Sequence, residues 1–192
     1  MRKIVPFVFL VLIQCTQAEE PTTLLDEYYS AQEINDLRKL SAFVEEQITK
    51  DCELSSQECI GLYFISFKNT KAAGPVELNI DKRRQRELLE SIDKNLFSDI
   101  WGFCTDRQGT EYLCANDKGK FARLLKRISE GNSQLKLYGE AFFATSDFSP
   151  SMTGTLLKYP ESFNFEYELE FILAAIHLLT INITEEPYHE MQ

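Results

Sequence analysis

The side chains able to do chemistry here are few: five cysteines, two histidines and a run of alternating glutamates. Cys15 lies in an N-terminal apolar stretch, and Cys52, Cys59, Cys104 and Cys114 follow it. A cysteine nucleophile needs a free thiol beside an imidazole, but His177 sits in an apolar run and His189 near the end of the sequence. The spacings Cys-x6-Cys and Cys-x9-Cys are not those of a zinc site, and two histidines cannot complete one. Neither a metal nor a cofactor is expected, and no catalytic residue is named. Glycine-rich phosphate loops, the Gly-x-Ser-x-Gly elbow, His-Glu-x-x-His and the dinucleotide fingerprint are all missing from the sequence.

Glu166, Glu168 and Glu170 alternate with Phe165, Tyr167, Leu169 and Phe171. On a strand they would share one face at a spacing of ~7 Å. That geometry suits a carboxylate pair for hydrolysis or a calcium site. The plainer reading is a solvated acidic ladder that keeps a sheet edge from pairing with other chains. Trp101, Phe103 and Tyr112 cluster around two of the cysteines and are the candidate aromatic contacts for a partner, weighed against core packing. Asn182-Ile183-Thr184 is an N-glycosylation acceptor if the chain is eukaryotic.

The start of the chain bears on how these groups are used. Arg2 and Lys3 precede an apolar stretch over 4–13, and Thr16-Gln17-Ala18 supplies small residues at −3 and −1. Residues 1–18 read as a signal peptide cleaved after Ala18. The apolar stretch is too short for the ~20 residues of a membrane span, and no transmembrane segment is expected later. The alternative is a lipobox, Leu12-Ile13-Gln14-Cys15, with Cys15 as a lipid anchor. Either way the chain is exported, to the periplasm, the envelope or the extracellular space. Loss of Arg2 and Lys3 with the leader takes the net charge from −10 to −12. Such an acidic chain repels phosphate and excludes non-specific nucleic-acid binding; its expected partner is a protein or a neutral or basic polymer. Four remaining cysteines in an exported chain read as two disulfides.

Elements must position these groups. Residues 19–59 read as a tether and a helix, the helix opened by the capping box Ser30-x-x-Glu33 and striped by Ile34, Leu37, Val44 and Ile48. Residues 60–184 read as one α+β domain, with strands over 60–68, 76–80, 100–104, 111–114, 135–143 and 163–183, the last favoured as one long strand over a strand that bends into a helix at 172–183. Helices are expected over 82–95, behind Asp81 as N-cap, and over 118–128, where Phe121, Leu124, Leu125 and Ile128 fall at helical spacing. Residues 145–162 read as a loop and 185–192 as a loose tail. Around Gly109, a hairpin places Cys104 opposite Cys114. Chain entropy does not choose among disulfide pairings; the hairpin selects Cys104–Cys114, which leaves Cys52–Cys59.

The expected fold class is therefore α+β: an N-terminal helix, then a mainly antiparallel sheet. Its element order is compatible with an OB-like five-stranded barrel carrying a helix between strands 3 and 4. The expected function is a non-catalytic exported binding protein. An inhibitor or immunity-type protein with an acidic strand face, and a carboxylate-dependent hydrolase, are the alternatives.

Overall fold

The computed structural model describes residues 24–68, 78–133 and 135–183. The expected leader over 1–18, Cys15, the expected tail over 185–192 and the first two residues of the strand expected over 76–80 lie outside these residues; residues 78–80 are described and are not a strand. Among the described residues the protein is a helical assembly with one two-stranded hairpin, and the expected sheet and OB-like barrel do not form.

Helix α1 (Leu24–Tyr28) is a short lead-in to α2 (Ala31–Thr49). Ser30 starts α2 through the expected capping box: its Oγ accepts from Glu33 N at 3.4 Å, and its own N–H donates to Glu33 Oε2 at 2.8 Å. Two of the orphan amides of a helix start are thereby paired. The Cys52–Cys59 disulfide joins the end of α2 to α3 (Ser56–Lys68). Helix α3 replaces the strand expected over 60–68. Ile60, Tyr63, Phe64 and Phe67 stand at i, i+3, i+4 and i+7 and face the core, while Leu62 and Ile65 face out. Side chains with high β propensity have here followed the burial stripe, because propensity is weaker than tertiary packing.

The helix expected over 82–95 is two. Helix α4 (Lys82–Ser91) is N-capped by Asp81, whose Oδ1 accepts from Arg84 N at 3.0 Å. The chain then turns extended at Ile92, and Asp93 caps α5 (Lys94–Ile100). Next comes the hairpin of β1 (Trp101–Thr105) and β2 (Glu111–Ala115). Gly109, at φ 86°, makes its tight turn in a backbone region that other residues rarely enter. The register pairs Cys104 with Tyr112 and Gly102 with Cys114, two residues away from the expected one. The bridge between Cys104 and Cys114 is thus diagonal, with the Cα atoms 5.8 Å apart.

Helix α6 (Lys120–Gly131) presents its expected apolar stripe to the core. Its first turn is capped from another element: Asp99 Oδ1 accepts from Lys120 N at 2.5 Å, and Oδ2 from Phe121 N at 3.2 Å. The close approach needs Gly119, where an added Cβ would lie 1.9 Å from the Asp99 carbonyl oxygen. Helix α7 (Lys136–Thr145) replaces the strand expected over 135–143, and Leu135, Tyr138, Gly139 and Phe142 form its buried stripe. Helix α8 (Pro150–Lys158), started by Ser149 and Pro150, occupies the expected loop; a single 3-10 turn (Pro160–Ser162) follows.

The largest correction is helix α9 (Glu168–Ile183), which replaces all but the start of the strand expected over 163–183 and follows the helical alternative over 172–183. From Leu169 to Ile183 every residue is buried except Ile181, which is half-buried. The helix runs through the middle of the fold and packs on α2, α4 and β2. A helix covered on all sides has no polar face, so the 3.6-residue period vanishes from its sequence. The polar groups on α9 are paired internally. Trp101 Nε1 donates to Thr180 Oγ1 at 2.7 Å, and Gln85 Nε2 donates to the Leu179 carbonyl at 2.6 Å. The core built around α9 draws on every helix from α1 onward.

Candidate functional site

The three glutamates do not form a ladder. Glu166 is exposed, with its backbone N–H donating to Asn164 Oδ1 at 3.2 Å. Glu168 opens α9 and forms a two-pronged ion pair with Arg38 of α2, at 2.5 and 3.3 Å. Glu170 is 6% exposed. Its Oε2 accepts from Asn164 N at 2.7 Å and its Oε1 from Asn132 Nδ2 at 3.1 Å. A strand would have aligned all three; the helix turns them apart, so the expected acidic strand face does not form.

Glu170 lines a cleft of about 300 Å³ between the C-terminal end of α6 and the first turn of α9. Leu24, Ile128 and Leu169 make its apolar wall, and Arg127, Asn132 and Tyr167 stand with Glu170 as its polar groups. Helix α6 positions Arg127 and Ile128: Ile128 closes its buried stripe, and Arg127 falls one residue earlier on the solvent side. Asn132 is the C-cap of α6, and its N–H donates to the Ile128 carbonyl. Its amide is thus held across from α9 and ties the two elements through Glu170. Both carboxylate oxygens of Glu170 have neutral donors, and among the described residues no cation pairs with it. Arg127 is exposed and forms no ion pair among them either.

The remaining reactive groups are committed to structure. His177, wholly buried on α9, stacks on Phe148 with ring centroids 4.5 Å apart. Its Nε2 lies 2.9 Å from Thr153 Oγ1 and its Nδ1 2.7 Å from the Tyr138 hydroxyl. The Thr153 hydroxyl also reaches the Ser149 carbonyl at 3.4 Å. Donation there leaves the threonine oxygen to accept Nε2–H, and Nδ1 then accepts the Tyr138 proton. Burial pushes the imidazole down to about 3 and the Tyr138 phenol well above its usual value. The ring is therefore neutral and fully bonded, a core histidine. All four described cysteines are in disulfides.

The aromatic candidates divide. Trp101 is fully buried. Phe103 is half exposed, beside Phe97 at 6.1 Å between ring centroids. Tyr112 pairs with Cys104 and so lies on the other face of the hairpin from Trp101 and Phe103. The three do not make one patch. Asn182 is buried, with its Nδ2 donating to Gln85 Oε1 at 2.8 Å and to the Ile80 carbonyl at 3.2 Å.

A second, wider groove of about 810 Å³ lies between α6 and α7, lined by Lys126, Glu130, Lys136, Glu140 and Phe143 among others. Its lysines and glutamates balance, and Lys136 already faces Glu140 at 3.9 Å.

Of the polar groups in the cleft, the sequence reading names Glu170 alone, as part of a strand face that does not form, and not Arg127, Asn132 or Tyr167. The amphipathic pattern of α6 places Arg127 on the polar side, yet nothing in the sequence brings Asn132 to Glu170 across 38 positions. The two disulfides are compatible with an exported chain, and no helix of the described residues is long and apolar enough to cross a membrane. Among known proteins, no family, curated sequence or solved structure matches this chain.

Proposed function

We propose that the chain is an exported, disulfide-stapled, non-catalytic binding protein that holds a small molecule in the cleft between α6 and α9. Export rests on the leader over 1–18, with lipidation at Cys15 as the alternative fate of the N-terminus. One observation carries the binding reading: Glu170 is a buried carboxylate without a cation partner among the described residues, and it lines an open cleft with an apolar wall. Burying a charge is costly unless it is paired, and a ligand group in the cleft would supply the missing partner. Small-molecule sites have this make-up, mostly apolar with a few fixed polar groups, and this cleft is at the lower end of their size range of ~300–1,000 Å³. The non-catalytic reading is supported by the bonds already made by His177 and the four described cysteines, which commit these groups to structure.

The test is an amide-resolved NMR titration of the full chain with chemically varied small molecules. Binding should move the amides of Ile128, Gly131, Asn132, Leu169 and Glu170 together. Ligands that shift other regions only, or no shift with any molecule, would remove the cleft from consideration.

A further inference from the structure

The charges that line the cleft say more about its occupant than its size does. Glu170 brings a fixed negative charge at the inner wall, held by Asn132 and the Asn164 amide and bonded to no cation among the described residues. Arg127 brings a guanidinium that lines the same cleft and has no ion pair among the described residues. The two do not pair with each other within 4.0 Å among the described residues. A simple anion entering here would meet Arg127 but also Glu170, on a protein of net charge −10 or below. A simple cation would meet Glu170 but also Arg127. Only a ligand that carries both charges satisfies both walls. Leu24, Ile128 and Leu169 then leave a place for an apolar side chain, and Tyr167 for a ring face at the rim.

The space agrees with this. About 300 Å³ is on the order of ten waters at ~30 Å³ each, which is room for roughly as many non-hydrogen atoms. Resting on the cleft reading above, we infer that the site takes a small zwitterion of the apolar amino-acid class, its ammonium on Glu170 and its carboxylate on Arg127. The carboxylate can meet the planar guanidinium with two parallel hydrogen bonds. The ammonium donates to the acceptor sites on Glu170 that Asn132 and Asn164 leave open.

The experiment titrates the full chain with valine, leucine, methionine and phenylalanine, and with three relatives of leucine: leucinamide, N-acetylleucine and neutral isovaleramide. Affinity is read by calorimetry and location by NMR. At least one free amino acid should bind, with shifts at Asn132 and Glu170. N-acetylleucine, which lacks the ammonium, should bind about tenfold or more weakly than leucine, the loss expected for one charge-assisted hydrogen bond. R127Q, at an exposed position whose loss does not threaten folding, should bring leucine down to the affinity of leucinamide. Isovaleramide binding as tightly as leucine, or R127Q leaving the preference for leucine over leucinamide intact, overturns the zwitterion while the cleft stands. No shift at the cleft with any of the seven compounds overturns both.

Discussion

Protonation of His177 gives a quantitative handle on the core. The imidazole is wholly buried and neutral, and burial pushes it down to about 3, whereas in an unfolded chain it titrates near ~6.5. A base whose folded pKa is depressed takes up its proton in the unfolded state first. Its contribution is present above pH 6.5 and is lost as pH falls from there toward about 3. At pH 5 the unfolded ring is ~97% protonated and the folded ring is not, so moving from pH 7 to pH 5 should remove about 2 kcal/mol. Because pH 5 is well above the folded value, that figure depends on the unfolded pKa alone. Urea unfolding followed by the buried Trp101, the sole tryptophan, measures it at the two pH values. H177Q lowers stability overall but should flatten the pH response to within ~0.5 kcal/mol. Asp147 opposes the trend at lower pH: desolvation raises its carboxyl, against hydrogen bonds from Ala115 N and Phe148 N, so it adds stability as pH drops below its folded pKa. H177Q retains Asp147, so the difference between the two proteins removes that contribution. Equal losses in the wild type and in H177Q would refute the buried neutral imidazole.

Three further outcomes follow from other parts of the fold. Replacing Cys104 and Cys114 together by serine opens a loop of roughly 11 residues and should cost about 2.8 kcal/mol on the chain-entropy account, read as a shift of the urea midpoint without reductant; no shift would mean that the hairpin is held by its packing alone. G119A places a Cβ 1.9 Å from the Asp99 carbonyl oxygen, so α6 must move off its Asp99 cap, with an expected loss of ~2 kcal/mol or more; a neutral result in the same assay refutes the close contact. Folded protein secreted from a glycosylating host should carry no glycan on Asn182, since its Nδ2 is already bonded to Gln85 and Ile80 inside the core, and intact mass decides this directly.

The parts of the fold legible in the sequence are those with a local cause. The Ser30 and Glu33 capping box, the Asp81 N-cap, the turn at Gly109 and the spacing of Phe121, Leu124, Leu125 and Ile128 each act within a few residues, and each appears in the structure. The strands expected over 60–68, 135–143 and 163–183 fail for a common reason. Their β-branched and aromatic side chains carry a strand-like composition, while the fold uses them on helices. In α3 and α7 the helical stripe was present, as Ile60, Tyr63, Phe64, Phe67 and as Leu135, Tyr138, Gly139, Phe142, but exposed Leu62 and Leu137 blurred it. In α9 no stripe exists to be read. Alternation at Phe163 and Phe165 comes from two rings stacked at 5.8 Å just before the helix begins. The cleft was not legible: Glu170 is named in the sequence only as one of three glutamates on an expected strand face, and its donors come from segments that only the tertiary fold brings near.

The central position of α9 has a consequence for how the protein is made. Synthesis runs at ~5–20 residues per second from the N-terminus, and α9 is the last described element to leave the ribosome. Helix α2 packs on α3, its neighbour in the chain, and on α9 across more than 100 intervening residues, so part of its apolar stripe has no partner until α9 has been made. A nascent chain of this kind stays open through most of its synthesis. The core closes only once its axis has arrived.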